Sequence, residues 1–477
     1  MPKYFFDISG VVWHLKRVPQ FSGIQRAVVM LIDGSAAALG AQNVYVSYLD
    51  STTGRYRALA YSALESGGLT DSDALRSTLG LGRAKRQAPA ALRKYQGTPG
   101  KYWFHWAMFQ LNALAGNERH FHRRNTTLDA WKEYVSLRGG AGKKPAMVAF
   151  DSVSEQGDKL ILLDATWNIA RTEQVFLSAH KRGIETYTMV YDLLPIIVPQ
   201  FSNGNVPLNF HEWLLRSGDY TSVYLTDSVA TEGELARFLQ THDIRRSIHT
   251  VPLAQDRLPG TGTVTQSGPM LDRVNAAAYP QLHSVGMIDE RIRAMSAHPY
   301  VLCVGTRAPH KNNWRLALAW DRLRQQTGIA CPRLVFAGRD GWMNRDFDNF
   351  IAATGKLYGW IDIIDSPSDA ELDHLYRNCL FSAMPSLYEG WGLPVGESLS
   401  YGKTAITSSI CSLPEVGGDL VEYCDPYSVD SIVAACLRLI ADPDRRIALE
   451  QKIRGTKLRS WDDVAADLIK AIRPIAH

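Results

Sequence analysis

Short apolar runs alternate along this chain with longer segments whose apolar residues recur every three or four positions. KYFFDISGVVW opens as a β-rich run ending at Asp7 and Gly10, and after a loop containing Pro19, SGIQRAVVMLIDGSAAAL has helical spacing. NVYVSYLD and KLILLDAT repeat the strand pattern. ETYTMVYDLLPIIVP continues it after the helical TEQVFLSAHKRG and stops at Pro195, and SVYLTDSV, TEGELARFLQ and SIHTVPL give strand, helix and strand in turn. Strands separated by helices of ten or more residues predict a doubly wound parallel sheet. From Asp256 to His298 the pattern lapses, and PGTGTVTQSGP reads as a connection between domains. It restarts with PYVLCVGT and NNWRLALAWDRLRQQ and runs through RLVFAGRDG, DAELDHLYRNC, LFSAMPS, GLPVGESLSYG and TAITSS to the helical SVDSIVAACLRLIAD.

Two Rossmann-like α/β domains are therefore expected, residues 1–285 and 286–458, with a last helix in SWDDVAADLIKAIRPI. At 477 residues the chain is long enough for each to bury a core. Residues 64–150 interrupt the first domain. Between Gly82 and Lys144 stand thirteen Lys or Arg and three acids, a net +10 that leaves the rest of the chain at −6 within an overall +4. That total is too small to make the molecule a nucleic-acid binder. Inside the basic stretch, KYWFHWAMFQLNALAG concentrates Tyr102, Trp103, Trp106, Phe109, Leu111 and Leu114. Two readings stay open: a buried helical insertion, or an element lying on an anionic membrane surface with Trp103, Trp106 and Phe109 at the headgroup boundary.

No run approaches eighteen apolar residues, and MPKYFFDISGVVWHLKR lacks the apolar centre of a secretory leader. The expectation is a cytoplasmic protein, peripheral at the inner face of the cell membrane if the insertion binds lipid. The six cysteines form no CxxC and read as buried reduced thiols.

Candidate chemistry gathers in the second domain. In PSLYEGWGLPVGESLSYGK, Glu389 and Glu397 stand eight apart, the first in a glycine turn after a strand and the second in the following helix. Gly390 and Gly392 let the backbone approach a ligand, and helix-start amides near Leu393 suit an anionic or hydroxyl-rich group. Carboxylates there suit sugar and ribose hydroxyls. In VGTRAPHKNN, Thr306 ends a buried strand and Arg307, His310 and Lys311 follow, cations where an open α/β sheet binds anions.

These pieces resemble the family 4 retaining glycosyltransferases with the GT-B fold. SLYEGWGLPVGESLSYGK with SSICSLPEVGGD and YCDP is similar to that family's donor-site signature, VGTRAPHKN to its VGTxxPRKN, VPLAQD to its VPLGxD, YDLLP to its HDLxP and FSGIQR to its GGIxR loop. The resemblance implies two domains facing across a cleft, with the final helix crossing back to the first. It implies that Lys311 holds the donor diphosphate, that Glu389 touches the donor sugar and Glu397 the ribose, and that Gly390, Trp391, Gly392 and Leu393 offer amides to sugar and phosphate. Gly23 faces the same cleft. Arg307 or His310 stands in for the family's second cation. Thr306, Gly338 and Arg339, at strand ends, go with the donor site; Tyr191, Asp192 and Arg26 go with the acceptor side. The chain departs from the family at Gly305, at His310 and at Tyr191, which replaces the histidine of HDLxP.

The implied function is metal-independent transfer of a hexose, mannose or rhamnose, from a nucleotide diphosphate sugar (GDP-linked first, UDP-linked next). The acceptor is a glycan or polyprenyl-diphosphate-linked glycan of a cell-surface polysaccharide such as O-antigen, capsule or exopolysaccharide. No further cofactor is called for. A sugar-nucleotide epimerase of similar shape and a non-catalytic glycan- or sugar-nucleotide-binding module are the alternatives. A metal-dependent transferase has only Asp346-Phe347-Asp348 and Asp71-Ser72-Asp73 to offer, neither directly after a strand, and GxGxxG and GxSxG are absent from the places that would give them meaning.

Overall fold

The computed structural model describes residues 2–81 with short gaps at 19, 20, 22, 51, 52 and 65–67, parts of 82–146, residues 147–256 except 170, and residues 288–473 except 329. The connection between the domains and most of the basic clusters lie outside the described residues.

The first sheet contains β1 (Tyr4–Asp7), β2 (Val44–Asp50), β3 (Arg55–Ala60), β4 (Val148–Ala149), β5 (Lys159–Leu162), β6 (Glu185–Val190), β7 (Val223–Thr226) and β8 (Ser247–Thr250), in the order β4-β3-β2-β1-β5-β6-β7-β8. β1 and β5 are buried at every residue, as central parallel strands covered on both faces must be. Two expectations change here. The sheet is mixed, because β3 runs antiparallel to β2 and β4 antiparallel to β3. RYRALA, second from the sheet's edge and only partly covered, carries two arginines, so its apolar content falls below that of the central strands. The opening run also does not stay extended. The Asp7 carboxylate accepts hydrogen bonds from the Ser9 N–H at 3.0 Å and the Ser9 hydroxyl at 2.8 Å, which turns the chain into helix α1 (Ser9–Leu15).

The second sheet contains β9 (Tyr300–Val304), β10 (Arg333–Ala337), β11 (Ile361–Ile364), β12 (Ser382–Met384), β13 (Ala405–Ser408) and β14 (Glu422–Cys424), all parallel, in the order β11-β10-β9-β12-β13-β14. Each sheet reverses its winding once, between β1 and β5 and between β9 and β12. Ligands of open α/β sheets bind beyond the strand ends at such points.

The helices that matter for the site are α2 (Gly23–Leu39), α3 (Pro99–Leu114), α4 (Val229–Thr241), α5 (Asn313–Leu323), α6 (Arg345–Ala353), α7 (Asp369–Asn378), α8 (Leu393–Ser400), α9 (Leu413–Gly417) and α10 (Trp461–Ile472). α10 starts in a capping box, Ser460 with Asp463, and buries Trp461, Val464, Ala465, Leu468, Ile469 and Ile472 along one stripe. That stripe lies on α2, so closely that a Cβ on Gly34 would stand 2.7 Å from that of Ala465. One apolar core joins α10 and α2 to Trp391, Val395, Leu399, Leu413 and Val416 of the second domain.

The aromatic run of the insertion divides between two faces of α3. Tyr102, Trp106, Phe109 and Ala113 pack with Leu92, Phe121, Leu128 and Trp131 in a small separate core, while Trp103, Phe104, Met108, Leu111 and Leu114 are exposed. Trp106 and Phe109 are therefore not headgroup residues as expected; they are interior to the insertion.

Candidate active site

Lys311 owes its position to a turn fixed at both ends. β9 leaves through Gly305, whose φ of 142° only glycine adopts readily, and a single 3₁₀ turn, Pro309–Lys311, leads to Asn312 in the left-handed region. The buried Asn312 amide donates to the carbonyls of Pro385 at 2.8 Å and Pro426 at 2.7 Å, tying this turn to the segment that follows β12. Glu389 lies on that segment. The Lys311 ammonium donates to both of its oxygens, at 2.6 and 2.8 Å, and the two side chains keep only 18% and 10% of their exposure. At this depth removing one partner leaves the other uncompensated.

The glycine turn serves the domain contact as much as the cleft. A Cβ on Gly390 would meet the Tyr191 carbonyl oxygen at 1.9 Å, and one on Gly396 the Gln255 Cα at 2.8 Å. The Trp391 ring is buried between the domains with its indole N–H donating to the Ala254 carbonyl at 3.2 Å, so its backbone, not its ring, faces the site. Gly392, at φ 114°, caps α8, whose Pro394 has no N–H and whose Val395 N–H already donates to the Gly392 carbonyl at 2.9 Å, which leaves Leu393 as the helix-start amide without an intrahelical partner. One turn on, Glu397 accepts the Tyr376 hydroxyl at 2.8 Å, and burial raises its carboxyl above the usual range.

The second cation stands differently from either expectation. The Arg307 guanidinium is 6% exposed and committed to the Gly338 carbonyl at 2.9 Å and Asp365 at 2.6 Å, so it braces the ends of β9 and β10 instead of joining Lys311. His310 is held neutral: burial, then the Lys311 charge, lower it to about 4. Gly338 is a packing glycine, since its Cβ would stand 2.0 Å from the Gly305 carbonyl oxygen. Thr306 lies beside Gly341, and Arg339, half-buried, accepts the Arg307 N–H on its carbonyl.

On the facing domain, Gly23 opens α2 opposite Leu393, whose methyl is 3.4 Å from where its Cβ would be. Arg26 crosses the cleft to Asp369 at the start of α7. The Tyr191 hydroxyl is spent on the Leu163 carbonyl at 2.6 Å. Asp192 accepts the Leu194 N–H at 2.9 Å; burial, and then Glu389, raise its carboxyl, while Lys311 works the other way. Asp192 thus feels the Lys311–Glu389 pair across the cleft.

Sequence reading missed several residues here. Tyr388 donates to Glu234 of α4 and receives the Leu193 N–H at 3.1 Å, and Glu415 accepts the Val229 and Ala230 amides at 2.9 Å each, capping α4 from the other domain. Asp164 and Asp227, which follow β5 and β7, are 3% and 2% exposed, and each keeps a carboxyl oxygen without a hydrogen-bond partner. Their signal was an acid directly after a buried strand, the same as for Asp7. Asp346 and Asp348 are exposed on the first turn of α6, where acids favour the helix dipole.

Two α/β sheets, each with one switch point, joined around a buried lysine and a glutamate-bearing helix start, define a GT-B architecture. Residues 288–456 match the family described as glycosyl transferases group 1. A stretch of 175 residues, 36% of this chain and 45% of the relative, is 34% identical to O-antigen chain mannosyltransferase B of Escherichia coli. Another of 118 residues, 23% of this chain and 29% of the relative, is 34% identical to MMP alpha-(1->4)-mannosyltransferase of Mycolicibacterium hassiacum. The matches thus span less than half the length of these relatives. Among solved structures, Anabaena Alr3699/HepE in complex with UDP-glucose aligns over 99% of both chains with a TM-score of 0.53 at 11% identity. An Escherichia coli trehalose-6-phosphate structure bound with UDP-2-fluoro glucose aligns over 99% and 100%, with a TM-score of 0.53 at 11% identity. At such identities the likeness is one of fold.

Proposed function

We propose that the protein is a mannosyltransferase of cell-surface polysaccharide synthesis that takes a hexose from a nucleotide diphosphate sugar, GDP-linked, with retention of configuration. The observation that carries this reading is the buried Lys311–Glu389 pair beside the start of α8, at the switch point of the domain that matches the group 1 family. Cleavage of a glycosyl phosphate concentrates negative charge on the departing diphosphate. A fixed ammonium and a helix-start amide stabilise that charge without a metal. Glu389 then holds the sugar's hydroxyls, and Glu397 the ribose. With no carboxylate assigned as nucleophile, the acceptor attacks on the leaving-group side and the phosphate takes its proton. Both relatives are mannosyltransferases by name, which supports mannose. An epimerase needs no acceptor, and a binding module needs no activated cation.

The acceptor in this reading is a lipid-linked glycan, and the insertion brings the protein to it. α3 contains no acidic residue, and its outer face runs from 36% exposure at Met108 to 78% at Leu114. The +10 stretch around it suits an anionic leaflet, where each Lys or Arg contributes about 1 kcal/mol. No helix among the described residues is long and apolar enough to cross a membrane; the attachment in this reading is peripheral.

The deciding experiment is a panel of GDP-mannose, GDP-rhamnose, UDP-glucose and UDP-galactose, read by melting temperature and by nucleotide release. GDP-mannose should raise the melting temperature most, and release should depend on acceptor. No response to any sugar nucleotide overturns the transferase reading.

A further inference from the structure

Beside the turn that carries Lys311, a pocket of about 150 Å³ opens between the domains, lined by Phe201 of the first and by Pro309, Trp314 and Leu387 of the second. Phe201 is fastened there by its own carbonyl, which accepts the Trp342 indole N–H at 2.8 Å. The Trp314 ring is set by Phe350, nearly perpendicular to it at 5.2 Å between centroids. Pro309 precedes Lys311 by two residues and Leu387 precedes Glu389 by two, and two residues of chain span at most about 7 Å. The Leu387 N–H donates to the His310 carbonyl at 2.7 Å, which ties the two loops together and holds the pocket next to the Lys311–Glu389 pair.

The rim of the pocket is polar. Arg315, on the first turn of α5, gives one N–H to the Asn312 side-chain oxygen at 3.1 Å, and the rest of its guanidinium has no partner among the described residues. The Asp346 carboxylate, on the first turn of α6, is exposed and equally unpaired among them. Aromatic walls with a cation and a carboxylate at the edge suit a pyranose ring. Its C–H faces lie against the rings, while its hydroxyls donate to Asp346 and accept from Arg315. A phosphate would meet the Asp346 charge, and a purely apolar group would take water from both ions without replacing it. A space of this volume holds one six-membered ring.

We propose that this pocket holds a second hexose of the acceptor glycan, next to the unit that receives the transferred sugar. This rests on the transferase reading above. The acceptor then spans both domains, with its reacting hydroxyl at the Lys311–Glu389 pair and its next ring between Phe201 and Trp314.

The test compares methyl α-D-mannopyranoside with α-mannobiose as acceptors from GDP-mannose, read as GDP release. The disaccharide should have a KM about 10-fold lower, with kcat little changed. Phe201→Ala removes the aromatic wall but keeps the carbonyl that holds Trp342, and Asp346→Ala removes the carboxylate. Each should raise the KM of mannobiose to that of the monosaccharide and leave the donor-induced melting shift as in wild type. Saturation-transfer NMR without donor reads the pocket directly: wild type should transfer to mannobiose, and either variant should lose most of that signal. Equal KM for the two acceptors, no transfer from wild type to mannobiose, or full transfer from both variants overturns the proposal. Displacement of mannobiose by farnesyl phosphate would make the pocket a lipid site and overturns it too. If wild type answers to no sugar nucleotide, the transferase reading fails instead, and the NMR signal still reports whether the pocket takes a hexose.

Discussion

At the scale of single residues, the site separates side chains that face the cleft from those that hold it in place. Lys311 and Glu389 face it; Arg307, Trp391, Gly338 and Gly390 position the loops around them. Burial and then the Lys311 charge lower the His310 imidazole to about 4, so His310 adds no second cation beside Lys311. Replacing Lys311 by Ala should lower kcat on the order of 10²–10³-fold, the usual effect of removing one preorganised contact to developing charge, with the fold retained by circular dichroism. Glu389→Ala should lower it similarly. Turnover near wild type in either variant would remove these two from the chemistry.

At the scale of elements, α3 shows why composition alone left two readings open. Apolar residues fall on every side of the run KYWFHWAMFQLNALAG, and the structure puts one face in a core and leaves the other exposed. Flotation with phosphatidylglycerol vesicles at low salt should carry the protein, and raising ionic strength should weaken the association as screening grows. Substituting Phe104→Glu together with Leu111→Glu should abolish it without disturbing the inner face. Equal flotation of that variant, or none of the wild type, would end the membrane role of α3.

At the scale of the whole molecule, the cleft is held by contacts from several elements. Arg26 reaches Asp369, Tyr388 reaches Glu234, Glu415 caps α4, and the Trp342 indole donates to the Phe201 carbonyl at 2.8 Å. They tie the two domains together around Lys311 and Glu389, whose side chains keep 18% and 10% of their exposure. Since a lysine and a helix-start amide occupy the place of a cation, activity should persist in excess EDTA. Complete loss, restored by Mn²⁺, would return attention to Asp346 and Asp348.

Periodicity along the chain determined that there would be two α/β halves, because central strands and amphipathic helices write their burial directly into local order. The motif around Glu389 and Glu397 was legible for the same reason: one strand, one turn and one helix hold it. The antiparallel pair β3–β4 was not, since β3 carries two arginines and β4 is two exposed residues that pair with it across the whole insertion. Only the tertiary structure decided the second cation, because whether Arg307 is free depends on Gly338 and Asp365, 31 and 58 residues away. It likewise decided that Gly390 answers to the Tyr191 carbonyl, and that Asp164 is left half unpaired behind Gly10. Those are properties of close approach between distant segments, which no local pattern records.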